Sequence, residues 1–267
     1  MNFENKIITG DCVKEMKKIP AGVVDLAFAD PPYNLDKNYG LYDDSSSPID
    51  YLKWTEQWLT EIIRLLKPEG SFFLLNLPKW AIHHAVFLDQ LVFRQNTIAW
   101  DALSTPRGKI MPAHYSLLYY TKSPENYTFN QVMTKHNWTH CARSKCIEKR
   151  KVSTLTENPF SDIWTNVYRV KHRGKRHAFH PTQLPLTFME RIILSSTNEN
   201  DLVFDPFLGV GTTAIVANLL RRKYLGIEIN PKFVQESLKN LDRVLSFRSR
   251  LEFQDHFQGL MDLNTFF

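Results

Sequence analysis

The sequence has little cysteine, no long apolar run and no repeated or low-complexity tract. Three cysteines in 267 residues are too few for a disulfide framework and indicate a reducing compartment. No apolar run approaches the roughly 18 residues of a membrane span, so we expect no membrane insertion. The first six residues place no apolar segment behind a basic one, so we expect no secretory signal and a cytoplasmic location. A composition of 43% hydrophobic and 23% charged residues predicts one or two globular domains.

Positive charge is concentrated in one segment of the chain. Residues 125–180, the basic segment, hold eleven lysines and arginines against four acidic residues, a net charge of +7, whereas the whole chain carries +5. The remainder is therefore slightly negative. A basic segment on a near-neutral body is the electrostatic pattern of a nucleic-acid-binding protein, although a solvated charged surface gives the same count.

Short β-rich runs alternate with helical patterns on both sides of the basic segment. The predicted strands are 6–9, 23–29, 71–75, 97–101, 115–121, 201–204 and 224–229. The predicted helices are 12–19, 49–66, 184–195, one beginning at 212, and 232–245. This alternation predicts an α/β fold, with a parallel or mixed sheet and helices on both faces. The polar segment 34–48 directly follows a strand and is predicted to be a lid.

A glycine-rich turn follows the predicted strand 201–204. Gly209 permits a tight turn, and Gly211 is expected to let the backbone approach a ligand without a Cβ in the way. Glu228, at the end of the next strand, is placed to accept hydrogen bonds from ribose hydroxyls. The pattern predicts a nucleoside site. Threonine rather than lysine after Gly211 argues against a phosphate-binding P-loop, while a dinucleotide fold stays open.

The position of this turn in the chain constrains the fold. Only 56 residues follow Gly211, which is roughly one more β-α-β unit. Strands from the N-terminal half must therefore complete the sheet. Dinucleotide-binding domains generally open with the glycine-rich turn, so this order is unusual for them.

A second strand end carries the sequence Asp30-Pro31-Pro32-Tyr33. Open α/β sheets bind ligands beyond the carboxyl ends of their strands. Both prolines fix φ and lack an N–H, so the Asp30 carboxylate and the Pro31 carbonyl are held rigidly as hydrogen-bond acceptors. Tyr33 adds a flat aromatic face. Two acceptors beside an aromatic ring suit a planar amine such as a nucleobase amino group, and a plain strand-terminating turn is the alternative.

Together these motifs resemble the S-adenosylmethionine-dependent DNA adenine-N6 methyltransferases of the β class. In that family the Asp-Pro-Pro-Tyr motif comes first, a target-recognition region follows, and the glycine-rich cofactor motif lies near the C-terminus. Two further elements match: Gly10-Asp11-Cys12, and His180-Pro181-Thr182 with Leu184 in place of the family's lysine. The resemblance covers essentially the whole chain outside 124–175.

The resemblance implies a Rossmann-like methyltransferase fold with a permuted order of motifs. Its parts are a catalytic half (1–123), a target-recognition region (124–179) and a cofactor-binding half (180–267). The implied reaction moves a methyl group from S-adenosyl-L-methionine to the N6 amine of an adenine flipped out of double-stranded DNA. A cognate restriction endonuclease and a second copy of the chain are the further partners considered.

The resemblance also assigns the site residues. The implied catalytic residues are Asp30, Pro31, Pro32 and Tyr33. The implied cofactor residues are Asp11, Cys12, Asp30, His180, Pro181, Thr182, Asp205, Phe207, Gly209, Gly211, Thr212, Thr213, Glu228 and Asn230. Among these, Asp11 is expected at the cofactor's adenine amino group, Glu228 at its ribose and Thr182 at its carboxylate. The implied DNA contacts are Arg143, Lys145, Lys149, Arg150, Lys151, Lys171, Arg173, Lys175 and Arg176.

Three other functions are weighed against this one. The same fold can act on the N4 amine of cytosine. An NAD(P)-dependent oxidoreductase would use the glycine-rich turn but has no role for Asp30 to Tyr33, and a catalytically silent DNA-binding module has no use for the turn. A zinc site formed by His136, His140, Cys141 and Cys146 is disfavoured because His140 and Cys141 are adjacent, so no metal site is predicted.

Overall fold

The computed structural model describes residues 3–36, 44–101, 113–131, 133–134, 158–159, 161–165, 167 and 184–248. Ten strands and six helices lie within these ranges. The strands are β1 (Lys6–Thr9), β2 (Val24–Ala29), β3 (Leu66–Asn76), β4 (Phe93–Trp100), β5 (Tyr115–Thr121), β6 (Met133–Thr134), β7 (Asn158–Pro159), β8 (Ile163–Trp164), β9 (Leu202–Asp205) and β10 (Lys223–Glu228). The helices are α1 (Cys12–Met16), α2 (Pro48–Leu65), α3 (Pro78–Leu88), α4 (Leu186–Ser196), α5 (Thr212–Leu219) and α6 (Pro231–Arg248).

The main sheet contains strands from both halves of the chain. Among the described residues its order is β1-β10-β9-β2-β3-β5-β4-β8. The pairs from β1 to β3 are parallel, β3 and β4 each pair antiparallel with β5, and β8 runs parallel to β4. The C-terminal strands β9 and β10 thus lie between the N-terminal strands β1 and β2. This confirms the predicted fold class and the prediction that N-terminal strands complete the sheet.

Helices cover both faces of the sheet, as predicted. Along β2, Ala27 and Ala29 belong to the core beneath α1, α2 and α3. Leu26 and Phe28, which alternate with them, belong to the core beneath α4, α5 and α6. Successive strand residues point to opposite faces, so a strand covered on both sides needs apolar residues at nearly every position. That requirement explains the apolar run that predicted β2.

The helix α3 was not predicted from the sequence. Its apolar residues lie on all sides, and Ile82 and Val86 are 66% and 62% exposed. The periodic pattern of an amphipathic helix is therefore absent. Strand β3 also begins five residues before its predicted start, because Pro68 and Gly70 read as a break. The structure accommodates them at an irregularity in the pairing of β2 with β3, where proline is tolerated.

Part of the predicted target-recognition range joins the main sheet. Strand β8 pairs with β4, and Trp164 and Val167 are buried in the same core as α4. The indole N–H of Trp100 donates to the carbonyl of Val167 at 2.8 Å. Strands β6 and β7 form a separate two-stranded sheet.

Several predicted features lie outside the described residues. These are all nine implied DNA contacts, the His and Cys cluster 136–146, the residues His180 to Thr182, and 37–43 of the predicted lid. Within the described part of the chain, no helix combines the length and the apolar character needed to cross a membrane.

Candidate active site

The two predicted motifs meet at one edge of the sheet because β2 and β9 are adjacent and parallel. Leu26 pairs with Val203 and Ala27 with Phe204, so both strands end at the same side. A pocket that opens to solvent lies beyond these ends. Its concave shape, with mostly apolar walls and a few polar groups, is typical of a small-molecule site. The predicted site residues that line it are Asp11, Cys12, Asp30, Pro31, Pro32, Tyr33, Asp205, Phe207, Gly209, Thr212, Thr213 and Glu228.

Asp205 closes the turn that follows β9. Its Oδ1 accepts a hydrogen bond from the backbone N–H of Phe207 at 2.9 Å, and its Oδ2 accepts one from the hydroxyl of Thr213 at 2.6 Å. Burial raises the pKa of Asp205 to about 7, and the nearby carboxylates of Asp30 and Glu228 add to the effect while the two hydrogen bonds oppose it. Asp205 therefore uses both oxygens to hold the turn.

Glu228 ties the same turn to the end of β10. Its Oε2 accepts from the backbone N–H of Gly209 at 2.9 Å, and its Oε1 accepts from that of Asn230 at 2.8 Å. Burial raises the pKa of Glu228, and these amide hydrogen bonds oppose the rise. Each carboxylate oxygen can accept a second hydrogen bond, so Glu228 retains acceptor capacity for a ribose diol in the pocket.

The two glycines of the turn serve different purposes. Both have positive φ, 56° at Gly209 and 94° at Gly211, where side chains are disfavoured. Gly209 lines the pocket, but Gly211 does not. A Cβ at Gly211 would lie 2.2 Å from the hydroxyl oxygen of Ser237 on α6. Gly211 therefore permits close packing of the start of α5 against α6, which differs from the predicted approach to a ligand.

The end of β1 brings a further carboxylate to the pocket. Gly10 donates its N–H to the carbonyl of Glu228 at 3.0 Å, and Asp11 caps α1 by accepting from the N–H of Lys14 at 2.9 Å. Asp11 and Glu228 thus reach the same pocket from neighbouring strands. Next to them, burial raises the pKa of Cys12 to about 12, so its side chain stays a thiol rather than a nucleophilic thiolate.

The Asp-Pro-Pro-Tyr motif is held by its own tyrosine and by side chains from α2 and α3. The Tyr33 hydroxyl donates to Oδ1 of Asp30. The carbonyl of Pro32 accepts from the Tyr51 hydroxyl at 2.7 Å, and the carbonyl of Tyr33 accepts from the Trp80 indole N–H at 2.8 Å. Hydrogen bonds therefore anchor the downstream half of the motif, while Asp30 lines the pocket.

A buried aspartate, Asp44, forms hydrogen bonds within the segment that follows Tyr33. The carboxylate of Asp44 accepts from the backbone N–H of Asn34 at 2.7 Å and from that of Leu35 at 3.0 Å. The side chain of Asn34 donates to the carbonyl of Ser46 at 2.8 Å. The two ends of segment 34–48 are therefore tied together beside the motif, and its function as a lid stays a prediction.

The sequence did not reveal the apolar walls of the pocket. Ile229 directly follows Glu228, so an apolar residue after an acidic strand end was the available signal in the sequence. Trp54 had no such signal, because its place on the wall depends on how α2 packs. The pocket residues that were not predicted are Gly10, Phe28, Trp54, Leu184, Pro206, Leu208, Val210, Ile229 and Phe233.

The charge of the pocket favours a cationic ligand. Four carboxyl groups line it, from Asp11, Asp30, Asp205 and Glu228, and the described residues contribute no lysine or arginine to the lining. Such a pocket attracts positive charge and repels phosphate groups. Acceptors for amino and hydroxyl donors, apolar walls and negative potential fit a nucleoside that carries a positive charge.

Comparisons with known proteins agree with this geometry. The model of a family of N6- and N4-type enzymes described as DNA methylases matches residues 24–239. Type II methyltransferase M.BamHI of Bacillus amyloliquefaciens is 40% identical over 249 residues, which cover 89% of this chain and 58% of that protein. DNA adenine methyltransferase YhdJ of Escherichia coli K12 is 35% identical over 254 residues, with 90% and 84% covered.

A solved structure shows the same fold. TTHA0409 of Thermus thermophilus, complexed with S-adenosyl-L-methionine, has a TM-score of 0.62 and 23% identity over 90% of this chain and 94% of that chain. The likeness extends across both halves of the sheet.

Proposed function

Because the chain belongs to the family of N6- and N4-type DNA methylases, we propose that it transfers a methyl group from S-adenosyl-L-methionine to the N6 amine of adenine in double-stranded DNA. The observation that carries this proposal is the meeting of two strand ends. Asp30 and Pro31 line the same pocket as Asp11 and Glu228. The chain spans little more than half of M.BamHI, so the activity is argued from its own residues.

The pocket has the chemistry to hold the cofactor. When bound, S-adenosyl-L-methionine supplies an electrophilic methyl group on a positively charged sulfur. Asp11 and Glu228 would accept hydrogen bonds from the amino and hydroxyl groups of its adenosine, and Ile229 and Phe233 would provide apolar contacts. The carboxylates of Asp11, Asp30 and Glu228 favour this cation and disfavour the pyrophosphate of a nicotinamide dinucleotide. This charge argues against the oxidoreductase alternative.

Asp30 and Pro31 activate the acceptor amine. An adenine amino nitrogen is a poor nucleophile because its lone pair is delocalised into the ring. When the Asp30 carboxylate and the Pro31 carbonyl each accept one of its hydrogens, the nitrogen can pyramidalise and direct its lone pair at the methyl group. As the nitrogen–methyl bond forms, the sulfur–methyl bond would break and leave the neutral thioether of S-adenosyl-L-homocysteine. The positive charge that develops on nitrogen is stabilised by the adjacent carboxylate, and the surplus proton would then leave to that carboxylate or to water. Positioning for in-line displacement supplies the rest of the rate enhancement.

The target base must leave the DNA duplex to reach this site. Tyr33 is placed beside Asp30 and contributes an aromatic face, and the ring of Tyr115 lies 5.8 Å from it. Stacking of a flipped base on an aromatic side chain contributes about 1–3 kcal/mol. We infer that Tyr33 stacks on the flipped adenine.

The basic segment supplies the DNA contacts in this proposal. Its net charge of +7 would neutralise backbone phosphates, which give affinity without sequence information. Binding to unmethylated duplex DNA should therefore weaken steeply as salt is raised from 50 to 200 mM, by about 10³-fold if six phosphates are contacted. An affinity that hardly changes with salt would contradict the assignment.

Label transfer from the cofactor tests the proposed reaction. The protein is incubated with methyl-labelled S-adenosyl-L-methionine and DNA that lacks amino-methylated bases, and the DNA is digested to nucleosides. Label in N6-methyladenine supports the proposal. Label in N4-methylcytosine supports the second candidate, which the family model keeps open because it covers both acceptor amines. Cofactor binding without any label in DNA would contradict both.

Partners and location extend the same proposal. A cognate restriction endonuclease would cleave unmethylated DNA at the sequence that this protein methylates, so methylated DNA should resist it. A second copy of the chain would appear as a dimer in sedimentation equilibrium. The low cysteine content supports a reducing, cytoplasmic location.

A further inference from the structure

A buried hydrogen-bond chain lies behind the Asp-Pro-Pro-Tyr motif. The side-chain amide of Asn76 donates to the hydroxyl of Tyr51 at 3.3 Å, and this hydroxyl donates to the carbonyl of Pro32 at 2.7 Å. Beside it, the Trp80 indole N–H donates to the carbonyl of Tyr33 at 2.8 Å. The rings of Tyr51 and Trp80 are in contact, with centroids 4.6 Å apart. The two side chains therefore form one unit that joins α2 and α3 to the motif.

The direction of each hydrogen bond in this chain is determined. The backbone N–H of Leu77 donates to Oδ1 of Asn76 at 2.7 Å, so Nδ2 is the atom that faces Tyr51. Nδ2 also lies 3.2 Å from Nε2 of His84. Burial lowers the pKa of His84 to about 3, so its ring is neutral, and the Nδ2 donor that faces Nε2 is matched by the tautomer in which Nε2 accepts. The Tyr51 hydroxyl thus accepts from Asn76, and its own hydrogen is directed at Pro32.

The prolines explain why the anchors bind carbonyls. Pro31 and Pro32 have no N–H, so a hydrogen bond can hold these positions only through their carbonyl oxygens. Their φ angles are set by the rings, which leaves ψ as the soft torsion at each residue. Upstream, Asp30 follows the last residue of β2. Downstream, the carbonyls of Pro32 and Tyr33 are both bound.

The Pro31 carbonyl lies between these two fixed points. No hydrogen bond to its oxygen is formed by the residues that the structure describes. Pro31 also lines the pocket. Its direction is therefore set by its neighbours, while the oxygen itself keeps the capacity to accept from a ligand.

We propose that Tyr51 and Trp80 are positioning residues for methyl transfer. From α2 and α3 they bind the two carbonyls downstream of Pro31 and so hold the Pro31 carbonyl toward the substrate amine. The inference rests on the proposed function, which assigns one amine hydrogen to Asp30 and the other to Pro31.

Loss of either anchor should affect the chemical step rather than binding. Without its anchor the motif gains freedom in ψ, and a misplacement near 1 Å can cost about 100-fold in rate. An interaction that matters only for the transition state lowers kcat and leaves KM nearly unchanged. Tyr51→Phe, which removes only the hydroxyl, and Trp80→Phe, which removes the indole N–H, should each lower kcat about 10- to 100-fold.

The experiment compares these variants with a matched control in the full chain. Tyr120→Phe also removes a buried tyrosine hydroxyl, one that donates to Asp89 at 2.7 Å away from the pocket. For each protein we would measure kcat, KM for unmethylated DNA and for the cofactor, the cofactor dissociation constant by calorimetry, and urea unfolding. The two test variants act on different carbonyls, so each checks the other if one of them is poorly folded.

The possible results separate the inference from the proposed function. Lower kcat in Tyr51→Phe and Trp80→Phe, with cofactor affinity within about two-fold and Tyr120→Phe equal to the wild type, supports the inference. The inference is overturned if kcat of the two test variants equals that of Tyr120→Phe. It is also overturned if kcat and cofactor affinity fall by the same factor. In both cases the wild type still methylates DNA, so the proposed function stands. A wild type that binds cofactor but transfers no label overturns the proposed function itself.

Discussion

The ends of β2 and β9 lie side by side and begin with the same two residues, Asp-Pro, yet they are built in opposite ways. At the end of β9 the residue that follows Asp-Pro is Phe207, whose N–H donates to the Asp205 carboxylate at 2.9 Å. After β2 the third residue is Pro32, which has no N–H to offer Asp30. The backbone thus donates to a carboxylate at one end, and at the other its carbonyls accept from neutral side chains.

This difference separates a carboxylate that holds the fold from one that we propose to bind the substrate amine. Asp205 is buried and uses both oxygens to hold the glycine-rich turn. Asp30 lines the pocket, with no backbone donor in the two residues that follow it. The identity of the third residue therefore decides which carboxylate accepts from a backbone N–H of its own turn, whereas Asp30 accepts from the Tyr33 hydroxyl. Four predictions test this comparison, from the largest expected effect to the smallest.

Replacing Asp30 or Asp205 with alanine should distinguish the functions of the two strand ends most clearly. Asp30→Ala should lower kcat by at least about 10³-fold, because the acceptor and the stabilising charge are both lost. Its cofactor affinity should stay within a few-fold of the wild type. Asp205→Ala should instead lower the free energy of unfolding by about 2–4 kcal/mol, because two buried donors lose their acceptor. Kinetics, cofactor titration and urea unfolding measure these effects, and substantial turnover by Asp30→Ala would refute its assigned role.

A Cβ at Gly211 tests the packing of the glycine-rich turn. Gly211→Ala should lower the free energy of unfolding by about 2–4 kcal/mol, because positive φ is strained and the new Cβ would meet Ser237. Ser237→Gly opens the space, so the double variant should recover part of the loss but not the φ strain. If the effects of the two single variants simply add in urea unfolding, Ser237 is not the obstacle.

The pH dependence of stability should reveal the burial of Asp205. Its pKa is raised from 3.8 to about 7, so the folded protein keeps a proton that the unfolded chain releases as pH rises past about 4. Its contribution to stability is therefore present at low pH and lost as pH rises to about 7. Between pH 5.5 and 8 the difference in unfolding free energy should move in favour of Asp205→Asn by about 2 kcal/mol.

Comparing the wild type with Asp205→Asn removes the contribution of other groups that titrate in the same pH range. Burial also raises the pKa of Glu190 to about 7, but Glu190 is present in both proteins and cancels in the difference. A difference that does not vary with pH would show that Asp205 is ionised in the folded protein throughout this range.

An N–H introduced at position 32 should make the end of β2 resemble the end of β9. Pro32→Ala places a donor where Phe207 caps Asp205, and this donor would compete with the substrate amine for Asp30. We expect kcat to fall about 10-fold, equivalent to about 1.4 kcal/mol. Pro48→Ala, at the start of α2, removes a proline away from the pocket and should leave kcat unchanged. Equal kcat in the two variants would show that the missing N–H at 32 is not required.

The pattern of residues predicted the strand ends well because their signals are local. The apolar run that forms β2 and the turn after β9 each consist of consecutive residues with a recognisable pattern, and both end where expected. The helix α3 was missed because its apolar residues face all directions. Gly211 was assigned to the ligand because its spacing matched a fingerprint, whereas the space beside it is filled by Ser237, 26 residues away in the chain.

The sequence by itself determined the order of the motifs, the chemistry of each strand end and the need for N-terminal strands to complete the sheet. These features depend on residue types and on separations of a few residues, and both can be read directly from the sequence. Only the tertiary structure decided that Tyr51 and Trp80 anchor the motif and that Trp54 and Phe233 line the pocket. Such contacts depend on how helices pack on the sheet, because the side chains that meet are brought together by the fold and not by their separation in the chain.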